Sequence, residues 1–157
     1  LFLPQRPYMV LGTLRDQLQY PNSQLRIDDQ RLQQVLEQVN LTGLAERFGG
    51  LDAERDWADV LSLGEQQRLT FARLLLNPPQ YAILDEATSA LDLDNEAKLY
   101  QQLQAIETTF LSVGHCATLA NYHQSLLILS PDRTWQIQQP LTLTQTSAEL
   151  LEVPAAT

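Results

Sequence analysis

Two short apolar strings, "YAIL" at residues 81–84 and "TFLSV" at 109–113, flank a polar stretch in which Leu99, Leu103 and Ile106 recur at helical spacing. Nothing else in the sequence restricts the fold as strongly. A strand, a helix and a strand within about 35 residues form a βαβ unit, so the two strands run parallel and the crossover is expected to be right-handed. The unbroken apolar run of "YAIL" predicts a strand buried on both faces.

Parallel strands deliver their carboxyl ends to one edge, where open α/β sheets take ligands. Gln5 follows the opening apolar run "LFLP", Asp85-Glu86 follows "YAIL", and His115 follows "TFLSV" and Gly114. Each has a plain structural reading, as a solvated turn or a satisfied polar residue. Their coincidence on one edge favours a site. Asp85 at the strand end could hold Mg²⁺ through water, because that ion keeps much of its hydration shell. Glu86, facing outward, could orient or deprotonate a water. Phosphoryl transfer needs little beyond such positioning and charge neutralisation.

The remaining pattern is mostly helical. Residues 1–4 read as a short buried strand, 6–12 as a loop, and "TLRDQL" as a short helix capped by Thr13. Asp28 or Asp29 caps a helix with Leu32, Val35, Leu36 and Val39 on one face, and Thr42 begins another that Gly49-Gly50 closes. A longer helix runs from Ser62 to about Leu76, where Pro78-Pro79 stops it. Residues 118–123 are expected to be helical. "SLLILS", "PDRT" and "WQIQ" form a β-hairpin, and the tail after Pro140 is expected to be a weak helix or disordered.

Ser62 and Glu65 fit a capping box, with Ser62 taking the N3 amide and Glu65 reaching back. The same geometry can meet a phosphate: Gly64 removes a side chain where backbone approaches, and the helix dipole favours the negative charge.

Composition narrows the partners. A length of 157 residues suits one domain, and a net charge of -9 with one lysine, Lys98, argues against sequence-independent grip on nucleic acid. The single cysteine, Cys116, excludes an internal disulfide and reads as a bystander. No run approaches 18 apolar residues. The chain opens mid-strand and without Met, which reads as a piece of something longer.

"VLSLGEQQRLTFARLLL" followed by "YAILDEATSALD" resembles the signature, Walker B and D-loop run of ATP-binding cassette (ABC) ATPases. "FLPQRPYM" is similar to the family's Q-loop and "SVGHCATL" to its switch-histidine loop. "PQRPYMVLGTLRDQLQYP" and "SVGHCATLANYHQSLLIL" most resemble the branch of peroxisomal fatty-acyl transporters and bacterial permease–ATPase fusions linked to cobalamin or antimicrobial-peptide uptake.

The resemblance implies an α/β fold: a partial P-loop NTPase (RecA-like) core from residues 1–5 and 58–140, an inserted helical subdomain over 6–57, and a tail over 141–157. It implies that Gln5 senses Mg²⁺ and the attacking water, and that Arg6, Pro7, Tyr8 and Met9 lie against a transmembrane permease domain. Ser62, Leu63, Gly64 and Glu65 would hold the γ-phosphate of ATP bound to a second ATPase subunit. Asp85 would serve Mg²⁺, Glu86 the hydrolytic water, His115 the γ-phosphate, and Asp92 the dimer interface. The work would be ATP hydrolysis driving transport at the cytoplasmic face of the plasma (inner) membrane.

Three features depart from the family's pattern. Leu63 and Glu65 stand where the signature LSGGQ has Gly and Gln, and Cys116 stands where this branch often has Arg. No G-x-x-x-x-G-K-S/T occurs, so the Walker A loop that cradles phosphates is expected upstream of Leu1, together with the adenine-stacking aromatic. Without the P-loop strand, the Asp85-Glu86 strand is expected to have an open side and to pair with another copy or exchange elements. A non-catalytic interaction module and a chromosome-acting ABC ATPase are the alternatives. The latter's long coiled coils and basic surface are missing from this sequence.

Overall fold

The computed structural model describes residues 1–140 apart from Ser23 and Leu25. The expected weak helix or disorder in the tail, residues 141–157, lies outside the described residues. The chain divides into two compact units, Leu1–Gly114 and a second beginning at His115.

In the first unit, β1 (Phe2–Leu3), β2 (Tyr81–Asp85) and β3 (Thr109–Val113) form a parallel sheet in the order β1-β2-β3. Phe2 pairs with Ile83 and Leu3 with Leu84, while β2 pairs with β3 from Tyr81–Thr109 to Asp85–Val113. The βαβ expectation holds, with α6 (Leu93–Gln104) as the crossover helix. Leu99 and Leu103 are buried on it, but Ile106 falls beyond its C-cap, Ala105, and is half-buried.

The expected two-sided burial of β2 is not found. Ala82 and Leu84 are buried, but Tyr81 is 61% and Ile83 45% exposed. Phe2, Leu111 and Val113 are also exposed, so one sheet face meets helices and the other is bare. An apolar run carries no alternation to say which face is covered. The predicted open side of β2 is likewise corrected. β1 and β3 pair with both of its edges, and the backbone edges left unpaired belong to β1 and β3.

The helices are α1 (Leu14–Gln19), α2 (Asp29–Gln38), α3 (Leu44–Phe48), α4 (Trp57–Val60) and α5 (Leu63–Leu76). Thr13 caps α1 through a full capping box with Asp16, and the Asp28 carboxylate accepts the Arg31 amide at 2.8 Å. The predicted start of α3 at Thr42 moves: its N-cap is Gly43, in left-handed conformation with no side-chain cap. Gly49, also left-handed, closes α3, as its position predicts. The short helix α4 carries no strong sequence signal.

α5 is the centre of the unit. Leu69, Phe71, Ala72 and Leu74 are buried on several of its sides, and it packs against α1, α2 and α6. A helix apolar around much of its girth belongs in a core. Phe71 meets Tyr100 edge-on, and Tyr100 meets Phe110. Arg73, near its end, is buried and donates to the Gln17 carbonyl at 2.6 Å and the Tyr8 carbonyl at 2.8 Å. Burial lowers its pKa to about 10, well within the range where it stays charged at neutral pH. Trp57 is 1% exposed, packs edge-on against Phe48 and donates its indole N–H to the Gly12 carbonyl at 2.9 Å.

In the second unit, the helix expected over 118–123 is found as a 3-10 helix, Ala117–Tyr122. β4 (Leu126–Leu129) and β5 (Trp135–Gln138) form the expected antiparallel hairpin. Arg133, with φ of 67°, stands in its turn, where its amide donates to the Ser130 carbonyl at 3.0 Å.

Trp57→Ala should destabilise the chain by about 3–5 kcal/mol, since it empties a large buried site and orphans a carbonyl. Chemical denaturation measures this. A loss under about 1 kcal/mol would show that Trp57 is peripheral.

Candidate functional site

The in-register pairing of β1 and β2 brings their carboxyl ends together, and the first site residues meet there. Gln5 Nε2 donates to Glu86 Oε2 at 2.6 Å across 81 residues of sequence. Because the amide must turn its N–H toward the carboxylate, Gln5 Oε1 is the atom left for a cation or water. Asp85 is the last residue of β2 and half-buried. Glu86 has a φ of 48°, a left-handed state uncommon for a residue with a Cβ. Its amide donates to the Val113 carbonyl at 2.9 Å and its carbonyl accepts from the Ser89 amide at 3.0 Å. The strand thus ends in a sharp turn that sets the carboxylate beside Gln5.

The head of α5 is the second part. Glu65 N–H donates to Ser62 Oγ at 3.3 Å, and Ser62 N–H to Glu65 Oε2 at 2.9 Å, completing the predicted capping box. Arg47 of α3 reaches Glu65 Oε1 at 2.7 Å. Burial disfavours the charged form of Glu65, but the bonds from Arg47 and Ser62 outweigh it and hold the carboxyl below its usual range. The glutamate that departs from the signature pattern is therefore matched by an arginine on α3.

Gly64 has a reason beyond ligand approach. A Cβ there would lie 3.0 Å from the Ala90 carbonyl oxygen and 3.3 Å from the Leu91 side chain. The chain's own turn needs the bare position. Leu63 is 37% exposed.

Asp92 caps α6 by accepting from the Asn95 amide at 2.8 Å, and bonds from Asn95 lower its pKa. In the loop after β1, Arg6 and Tyr8 are exposed, Met9 is half-buried and Pro7 is buried. His115 is exposed and belongs to the second unit.

One residue of the site carries no sequence signal. Gln67, 0% exposed, donates to the Gln5 carbonyl at 2.9 Å and Ser89 Oγ at 3.2 Å, and accepts from the Ala90 amide at 3.0 Å. Helical spacing marks position 67 only as inward-facing, and Gln is common in this chain.

No group of three or more His, Cys, Asp or Glu able to enclose a metal exists among the described residues.

A parallel α/β sheet with a carboxylate turn at its edge and a capped helix head beside it places the chain in the α/β class. The ABC transporter family model matches residues 3–89, and the chain belongs to that family. It is 60% identical over 137 residues to an uncharacterised ABC transporter ATP-binding protein of Synechocystis, covering 87% of this chain and 21% of that protein. It is 46% identical over 144 residues to the lysosomal cobalamin transporter of Mus musculus, covering 87% and 24%. With the ABC transporter D family member 2, chloroplastic, of Arabidopsis thaliana it shares 46% over 172 residues, covering 88% and 24%. These relatives agree with the branch named from the sequence. The chain spans about a quarter or less of the length of these curated relatives. In fold it is similar to a bacterial Atm1-family ABC exporter solved with ATP bound, at a TM-score of 0.69 and 24% identity, covering 82% of this chain and 23% of that one. No helix among the described residues is long and apolar enough to cross a membrane.

Two outcomes test the helix head. Glu65 has a folded pKa below its ordinary value of 4.5, so its contribution is present above that value and is lost as pH falls through the folded pKa. Glu65→Gln should therefore cost roughly 0.5–1 kcal/mol at neutral pH, given the half-exposed Arg47. That difference in thermal midpoint should vanish in acid. Gly64→Ala should lower the midpoint with no nucleotide present, although the same change in an open helix raises stability by about 1 kcal/mol. A rise would mean that the Ala90 carbonyl moves aside freely.

Proposed function

We propose that this chain is the signature- and Walker B-bearing part of an ABC transporter's ATPase domain, and that it completes an ATP site whose phosphate-cradling loop comes from other residues. The observation that carries this is the 2.6 Å Gln5–Glu86 bond at the sheet edge, in a chain of this family. Asp85, through water, and the Gln5 side-chain oxygen Oε1 would hold Mg²⁺, whose charge neutralises phosphate oxygens when it is bound. Glu86 would orient the attacking water and accept its proton, with Gln5 holding the carboxylate in place. His115 would contact the γ-phosphate.

The head of α5 would take the γ-phosphate of a nucleotide held by a second ATPase subunit. Ser62 supplies a hydroxyl there and Gly64 a bare backbone, while Leu63 and Glu65 complete the lip. Asp92 would act across that dimer interface. Arg6, Pro7, Tyr8 and Met9 would face a transmembrane permease domain, and residues 6–57 would form a helical subdomain inserted into a partial core of 1–5 and 58–140. Support for a transport role comes from the relatives' names and the family match. The membrane face would be the cytoplasmic one of the plasma (inner) membrane.

The 157 residues contain no Walker A sequence. The chain by itself should therefore show no calorimetric binding of Mg²⁺-ATP at micromolar concentration. Extended upstream by a P-loop unit of roughly 40 residues, it should bind and hydrolyse ATP. Glu86→Gln in that extended form should lower turnover by about 100-fold or more while binding persists. Tight binding by the short chain, or full turnover by Glu86→Gln, would overturn the reading.

A further inference from the structure

Gln67 sits one turn into α5, fully buried, and its single amide reaches two other segments far apart in sequence. Its Nε2 donates to the Gln5 carbonyl at 2.9 Å and to Ser89 Oγ at 3.2 Å, with the Glu86 carbonyl at 3.5 Å. Its Oε1 accepts from the Ala90 amide at 3.0 Å. Gln5 and Glu86 are themselves joined through their side chains, and the Glu86 carbonyl also takes the Ser89 amide. The loop after β1, the turn after β2 and the head of α5 therefore share the hydrogen bonds of one buried side chain. Gly64 lets that head lie against the Ala90 carbonyl from the other side.

A buried amide shared in this way resists independent motion of its partners. Sliding one of them leaves a donor or acceptor of the buried Gln67 amide unpaired, where that side chain itself has no water to turn to. We infer that Gln67 is a positioning residue that fixes the Gln5–Glu86 pair to the Ser89–Ala90 turn and to the head of α5, so that these segments move as one body. The inference rests on the ATP-site reading for its catalytic consequence, but the linkage itself is a property of the nucleotide-free chain. A residue that only fills the core would lack this selectivity. Its loss would loosen the whole unit evenly.

The first test is amide hydrogen exchange on the nucleotide-free chain, comparing Gln67→Met with the parent. Methionine keeps the unbranched shape and loses the bonds. Exchange at Ala90 should rise about tenfold or more, while amides of β2 and β3 stay within about twofold of the parent. Unchanged exchange at Ala90, or an equal rise throughout the unit, overturns the inference. If Gln67→Met does not fold, Ser89→Ala is read in the same way. A rise of at least about twofold at Ala90 supports the linkage, and no rise overturns it.

The second test uses the ATP-hydrolysing form extended by its P-loop unit. Gln67→Met should lower kcat by on the order of tenfold to a hundredfold with KM for Mg²⁺-ATP within about threefold, because misplacement affects the reacting groups more than the binding. A raised KM with unchanged kcat overturns the positioning role. If the unsubstituted extended form does not hydrolyse ATP, the ATPase reading fails, and the exchange measurement alone decides the linkage.

Discussion

The arrangement of the first unit depends on the burial of α5. A helix covered on several sides must be met from more than one direction, so α1 and α2 close on it from one part of the chain while α6 closes from another. Some of its polar positions are closed to water as well. Gln67 and Arg73 are buried, and each finds backbone partners in neighbouring loops. Hydrophobic burial and polar satisfaction therefore act on the same helix. The first fixes where it lies, and the second fixes what the adjacent loops may do.

Within that frame the carboxyl edge follows from strand register. Leu3 opposite Leu84 leaves Gln5 and Glu86 as neighbours, and the left-handed backbone at Glu86 turns the chain back toward the head of α5. The Arg47–Glu65 pair ties α3 to the same head. A change of residue at the signature position thus has a local partner, which is why Glu65 can stand where glutamine is usual without leaving a buried charge unmet.

The sequence announced what short-range physics controls. The capping boxes of Thr13 and Ser62, the Asp28 cap and the β2–α6–β3 unit are local in sequence, and each formed where its residues predict. The meeting of Gln5 with Glu86 was readable from parallel strand ends, with the family's motifs adding their names. Gln67 was not readable, because its partners lie 62 and 22 residues away and no periodicity encodes them. Coverage of the sheet was misread for a related reason. An apolar run states that residues avoid water in some setting, and Tyr81 and Ile83 face outward all the same.

Glu86 keeps a side chain in a backbone state that glycine or asparagine occupies at lower cost. On the proposed role of Glu86, stability and chemistry would pull in opposite directions at this one position. A laboratory selection for heat resistance alone would drift toward the smaller residues there, and its winners would be sturdier chains that had discarded the carboxylate Gln5 holds. Any stabilised version of this domain should be sequenced at that codon before its silence is blamed on anything else.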